Sequence, residues 1–280
     1  MKLKIYTLIF SLLIFSCSSN SDDNNDVFND NNTNALLVSK ITYNDSESSD
    51  YSYEENFTYD ENKIVERLRT TYANGSVSYT SKTSFFYAND LILRADFYDS
   101  YDNSHTWSLE YDSQGRLTVV EDCYYYYNGN CSEKTTSSIS YNSNGTVSIT
   151  DTDRFSNDGG EYIFQLELDN QGNIVDSFSQ DGGCEDSSSL DYDNNNSPFK
   201  NIIGANSLFV FFELSFTDAP IIGFYNNALR IQNKTVCDNS SDNYSDTSSF
   251  LYDYNQEGYP RNIVVTESGG YTTSISLEYN

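Results

Sequence analysis

From residue 35 onward apolar and polar positions alternate with a period of two, and short polar turns interrupt the alternation at recurring intervals. The clearest unit is Leu109-Glu110-Tyr111-Asp112-Ser113-Gln114-Gly115-Arg116-Leu117-Thr118. In an extended strand Leu109 and Tyr111 share one face, and Glu110 and Asp112 share the other. Asp112 suits the first position of a type I turn, and Gly115 supplies the positive φ that returns the next strand through a bulge. The same spacing recurs at Asn142/Gly145, Asp169/Gly172 and Asn255/Gly258, with looser copies centred on Tyr59, Tyr87, Tyr192 and Tyr225. With Tyr59, Tyr87, Tyr111, Tyr141, Leu168, Tyr192, Tyr225, Tyr252 and Tyr279 as markers, eight intervals cover 220 residues, a mean of 27.5. That period fits one β-hairpin plus its connection and predicts roughly 15 to 18 antiparallel strands. A sheet this long coils or closes, because twist accumulates and free edges invite pairing with other chains. The expected fold is therefore all-β, a long antiparallel meander of hairpin repeats forming a curved roll or barrel-like sheet. A β-propeller is the alternative, although its blades need about 40 residues each. The least repetitive stretch is Asn201 to Asn233, where Leu208 to Phe212 is nearly all apolar. A buried strand, a short plug helix and the cover of one open end all fit it.

The N-terminus breaks the alternation. Lys2 and Lys4 precede an apolar run from Ile5 to Phe15, and Ser16 precedes Cys17. This is the plan of a secretory signal peptide over residues 1–16, and its apolar run is too short to span about 30 Å of hydrocarbon as a helix. Ile14-Phe15-Ser16-Cys17 resembles the lipobox of bacterial lipoproteins in a relaxed form, which makes Cys17 the expected lipid-attachment residue. Residues 17–34 are rich in Asn, Asp and Ser and read as a disordered tether, leaving 35–280 as a single repeat domain. The early Ser21-Asp22-Asp23 cluster looks like the acidic export signal of lipoproteins displayed on the outer face of the outer membrane.

Tyr111 to Thr118, YDSQGRLT, resembles the YD repeat of RHS-type proteins, and the other copies look like the same motif diverged. The signal peptide, the Asp/Asn tether, the YD-like hairpins, the Tyr192 to Ile202 stretch and Gly258-Tyr259-Pro260 together are similar to Bacteroidota-type outer-membrane lipoproteins with a porin-like or rolled β-sheet. That resemblance implies a fold and an outer-membrane location, and it brings no activity.

Charge narrows the partners. The 280 residues carry 42 Asp+Glu against 15 Lys+Arg, a net charge of -27, and removal of residues 1–16 makes it -29. Such a field repels nucleic acid and anionic lipid surfaces, so membrane attachment is expected through the lipid alone. Polysaccharide and envelope protein are the partners that remain. Apart from Cys17 there are four cysteines, an even number in an exported chain, and the favoured pairs are Cys123 with Cys131 and Cys184 with Cys237. An Asn128-Gly129 two-residue turn sets Cys123 opposite Lys134, so the first bridge requires that turn to rearrange. Zinc is disfavoured, since no C-x-x-C spacing exists and His105 is the only histidine.

Candidate chemistry is sparse. No G-x-S-x-G elbow accompanies His105. Paired carboxylates for an extracellular glycan-processing hydrolase are guaranteed by the abundance of acids and therefore carry little weight. Asp191, Asp193 and Asn195 match the first three ligand positions of a calcium loop, which fails at Asn196 and Ile202, so a weak calcium site is the one cofactor to test and none other is called for. Tyr125, Tyr127 and Trp107 are the candidate ligand-binding aromatics, suited to stacking on sugar rings. The expected role is a lipid-anchored, surface-displayed, non-catalytic binding or structural module.

Overall fold

The computed structural model describes residues 35–45, 51–125, 131–151, 162–181, 183–208 and 223–280. Among them sixteen strands run in chain order: β1 (Val38–Asp45), β2 (Tyr51–Asp60), β3 (Lys63–Ala73), β4 (Ser76–Ala88), β5 (Leu91–Asp99), β6 (Ser104–Tyr111), β7 (Leu117–Tyr125), β8 (Cys131–Tyr141), β9 (Thr146–Asp151), β10 (Tyr162–Leu168), β11 (Ile174–Asp181), β12 (Cys184–Tyr192), β13 (Ala228–Cys237), β14 (Tyr244–Tyr254), β15 (Pro260–Glu267) and β16 (Thr272–Tyr279). Each strand pairs antiparallel with its neighbours, and β1 pairs with β16, so the meander closes into one barrel rather than separate blades.

The predicted turns form as written. Asp112 N–H donates to Arg116 O at 2.9 Å and Gly115 N–H to Asp112 O at 3.0 Å, with Gly115 at φ 77. The Asp112 carboxylate takes two more main-chain donors, Gln114 N–H at 2.8 Å and Arg116 N–H at 3.0 Å. Asp169 and Asn255 repeat this pattern. These turns all lie at one end of the barrel, here called the lower end, as does the entry of the chain at Val38. The looser copies at Tyr59 and Tyr87 turn more tightly, through Glu61 and Asn89 at φ 54 and 56. Tyr225 departs from the expected series: it belongs to no strand and lies in the long connection between β12 and β13.

Alternation decides the two faces. On β2, Tyr53, Glu55 and Phe57 are buried, while Asn56, Thr58 and Asp60 are exposed. In the lower half the inward residues are aliphatic and closed to water: Ile41, Ile64, Ile92, Leu117, Leu166 and Ile275 are each 0–1% exposed. Burying each is worth about 1.5–3 kcal/mol relative to exposure. Sixteen strands enclose more space than one layer of side chains fills. Part of the β12–β13 connection enters that space, bringing Phe199, Ile202, Ala205 and Leu208 into the core. Of the three readings of Asn201 to Asn233, the described part matches a cover: residues 201–208 are turns with a short 3-10 helix at Ala205–Ser207, and Ala228 onward is β13. The apolar run beyond Leu208 lies outside the described residues.

The marker tyrosines do more than fill the sheet. On five of the eight even strands a tyrosine hydroxyl near the strand end donates to the carbonyl near the start of the preceding strand: Tyr59 to Val38 O (2.7 Å), Tyr111 to Ile92 O (2.6 Å), Tyr192 to Ile174 O (2.8 Å), Tyr252 to Ala228 O (2.6 Å) and Tyr279 to Pro260 O (2.8 Å). Burial pushes the Tyr111 phenol up to about 12 and the others up as well. A neutral phenol favoured by the fold gives stability that is complete below its unfolded pKa near 10 and is lost as pH rises toward the folded value. Urea unfolding at neutral pH is expected to show a loss of about 1 kcal/mol for Tyr111→Phe. The same variant is expected to have a shallower decline in stability between pH 10 and 12 than the parent chain.

Candidate functional site in the upper barrel

Above the aliphatic layers the inward side chains change character. Glu55 is 0% exposed and lies 3.5 Å from the buried Arg67 guanidinium, which also donates to Thr83. Cross-strand pairing then builds an aromatic arc on β1 to β7. Tyr53, Thr71 and Tyr79 stand side by side on β2, β3 and β4, as do Phe97, His105 and Tyr124 on β5, β6 and β7. Tyr43 stacks on Tyr53 at 4.5 Å, and the Arg69 guanidinium lies 4.3 Å from the Tyr53 ring centre. Toward the rim Tyr101 packs against Tyr79 at 5.7 Å. In the neighbouring group His105 stacks on Trp107 at 5.6 Å, meets Tyr124 edge-on at 3.8 Å and approaches Asp122 through Nδ1 at 3.4 Å.

Two buried polar atoms in this arc, Thr71 Oγ1 and Trp107 Nε1, have no hydrogen-bond partner. On β12 to β14 the inward wall at this end is different, with hydroxyl, amide and carboxylate groups paired to one another: Ser188 donates to Asn233 at 2.7 Å, Thr235 to Asp186 at 2.5 Å and the Asn233 amide to Asp246 at 3.4 Å. The upper interior is thus aromatic on one side and polar on the other.

The predicted site residues are distributed as follows. Trp107 faces inward, and Tyr125 sits on the opposite face of the wall, one residue beyond the inward Tyr124. Trp107 and Tyr125 therefore do not share a platform, and Tyr127 lies outside the described residues, as does Cys17. Both favoured disulfides are present at the upper end, Cys123–Cys131 and Cys184–Cys237. Cys123 does face Lys134 in the ladder, and a register shift beyond Tyr124 brings Tyr125 opposite Cys131.

Asp191, Asp193 and Asn195 sit at the lower end and do not converge. Asp191 is exposed on the outer face, and Asn195 N–H donates to Asp193 at 3.0 Å. The Asp193 carboxylate also accepts from Asn227 N–H at 3.1 Å, from the Asn227 amide and from the Tyr254 hydroxyl. Its oxygens are occupied in holding the cover, a use that sequence spacing does not reveal. Among the described residues no group of three or more His, Cys, Asp or Glu gathers for a metal ion.

Two carboxyls, Asp99 and Asp112, are held below the ordinary carboxylate range. Burial pushes Asp99 up, but donors from Asn103 and Tyr101 outweigh it and hold the group down. Arg116, through its main-chain N–H and its guanidinium, holds Asp112 down.

No protein-family model matches the chain, and no curated protein does either. Solved structures do share its fold. A porin-like protein from Bacteroides uniformis superposes with a TM-score of 0.51 at 15% identity, covering 87% of this chain and 98% of that one. A porin-like protein from Bacteroides vulgatus gives 0.52 at 14%, covering 88% and 99%.

Adjacent residues of β2 test the two faces of the wall. Removing Glu55 breaks its buried pair with Arg67, so Glu55→Ala is expected to cost about 3–5 kcal/mol in urea unfolding. Glu54, 2.8 Å from Lys40 on the outer face, is part of a solvated pair, and Glu54→Ala is expected to cost under about 1 kcal/mol. Asp193→Ala, which frees the cover, is expected to cost about 2–3 kcal/mol.

Proposed function

We propose that the protein is a water-soluble barrel held at the outer membrane by a lipid on Cys17, where it acts as a non-catalytic binding module. The observation that carries this reading is the polarity of the wall. A barrel that spans a membrane turns an apolar band about 25 Å tall outward and polar residues inward. Here the order is reversed, with aliphatic residues inside and Ser52, Glu54, Asn56 and Thr58 on the outer face of β2, Ser274, Ser276 and Glu278 on that of β16. Exposed apolar side chains on the strands are scattered singly or in pairs. Leu251, the most exposed at 72%, faces Val264 between polar neighbours. Such a surface is stable in water and would be costly in hydrocarbon.

The signal-peptide pattern, the lipobox-like Cys17 and the porin-like description of two proteins with this fold support an outer-membrane location. The strong acidity supports attachment by lipid, since the barrel itself is repelled by anionic headgroups.

Expression of the full chain and its Cys17→Ala variant in a Gram-negative host, followed by fractionation, tests this. The parent chain is expected in the outer membrane, labelled by a fatty-acid tracer and extracted by detergent. The variant is expected in the soluble fraction without detergent, folded and with both disulfides formed. A variant that stays in the membrane and needs detergent for release means that the barrel wall itself is inserted.

A further inference from the structure

We infer that the aromatic arc of the upper barrel is a saccharide-binding site for neutral glycans, an assignment that rests on the binding-module reading above. The tyrosines are sorted by height. At the lower end Tyr59, Tyr111, Tyr192, Tyr252 and Tyr279 are partly buried and spend their hydroxyls on main-chain carbonyls, whereas at the upper end Tyr51, Tyr101, Tyr244 and Tyr271 are 38–65% exposed. Exposed tyrosines gathered at one end are not needed to complete the core. Tyr51 and Tyr101 stand at the rim of the arc that continues inward through Tyr79 and Tyr53 to Arg69 and Thr71.

The arc offers the two things that a sugar ring requires. Aromatic faces stack against the apolar C–H faces of a pyranose, and adjacent donors and acceptors meet its hydroxyls. Thr71 Oγ1 and Trp107 Nε1 are closed to water and unpaired in the barrel. A buried polar atom left without a partner is costly, so a ligand hydroxyl that pairs with it gains more than it would against an already solvated group. Arg69 has the geometry of a sugar contact as well, a guanidinium over the Tyr53 ring that donates to the Tyr51 hydroxyl at 3.3 Å. The facing wall of Asp186, Ser188, Asn233 and Thr235 supplies more hydroxyl partners and no cation. Charge selects among glycans, because a chain of net charge -27 disfavours uronate and sulfate polymers.

Trp107 is the only tryptophan, which makes its emission a reporter of this site. The full chain, purified in lauryldimethylamine oxide so that no sugar-headed detergent competes, would be titrated with neutral hexasaccharides of glucose, xylose, mannose and N-acetylglucosamine, with oligogalacturonate as the charged control. At least one neutral sugar is expected to shift Trp107 emission saturably and protect it from acrylamide, and oligogalacturonate to do neither. Calorimetry is expected to show affinity about fivefold weaker in Tyr101→Ala, for the loss of one exposed stacking face. Thr71→Val keeps the shape and removes the unpaired hydroxyl, so it is expected to melt no lower than the parent while binding the sugar about fivefold more weakly. Emission unchanged by every neutral hexasaccharide, or affinity unchanged in both variants, overturns the site. Release of Cys17→Ala as a soluble barrel in the same study keeps the tethered-barrel reading standing even then, and its retention in the membrane overturns that reading whatever the sugars do.

Discussion

Closure of the sheet by the ladder between β1 and β16 is the constraint on which the other features depend. Lys40 to Asp45 pairs with Thr273 to Glu278, joining segments more than two hundred residues apart. Until that ladder forms, the sheet has two free edges, each a template for pairing with another chain. Once it forms, every strand has an inside and an outside, and a period-two sequence becomes an aliphatic interior under a polar coat. The cost is that a non-local contact must be made before its reward, since loop closure is opposed by chain entropy. The local turns offset part of that cost by fixing each hairpin separately. The tyrosine hydroxyls then tie the end of each of five even strands to the start of the one before it.

A wall of sixteen strands also creates a filling problem, and the protein solves it differently at the two ends. At the lower end the β12–β13 connection crosses the rim and bonds to it in several places. Ile203 N–H donates to Asn62 O, Asn196 N–H to Gly258 O, and the Asn201 amide to Leu36 O and to the Tyr259 hydroxyl. Two glycines permit this close approach. Gly204 has φ 77, and a Cβ there would fall 2.6 Å from Asp90 O; Gly223 has φ 102, and its Cβ would fall 2.2 Å from Asn226 O. At the upper end side chains do the filling, and they are polar and aromatic rather than aliphatic. The same fold thus carries a stable floor and a chemically varied upper interior.

The hairpin repeats, their Asp/Asn-x-x-Gly turns and the all-β class were legible because each depends on residues within about ten positions. The cysteine pairs were readable as a preference, and the register slip that admits Cys131 opposite Tyr125 was not. Tyr225 was misplaced because its neighbours imitate a turn while the chain around it serves the cover. Asp193 fits a calcium spacing because Asp and Asn serve turns, caps and metals alike, and its bonds with Asn227 and Tyr254 come from residues too distant in the chain for that spacing to reveal. Trp107 and Tyr125 looked equivalent along the chain, yet alternation around β6 and β7 puts the barrel wall between them.

By itself, the sequence determined where strands turn, how many there are to within a few, and that apolar and polar residues fall on opposite faces, since these follow from backbone sterics and a two-residue period. Only the tertiary structure decided that the sheet closes, that the apolar face is the inner one, and which inward residues from distant strands meet. Those outcomes are set by pairing across β1 and β16 and by the space the closed wall leaves to be filled. Neither quantity is written in any local stretch of the chain.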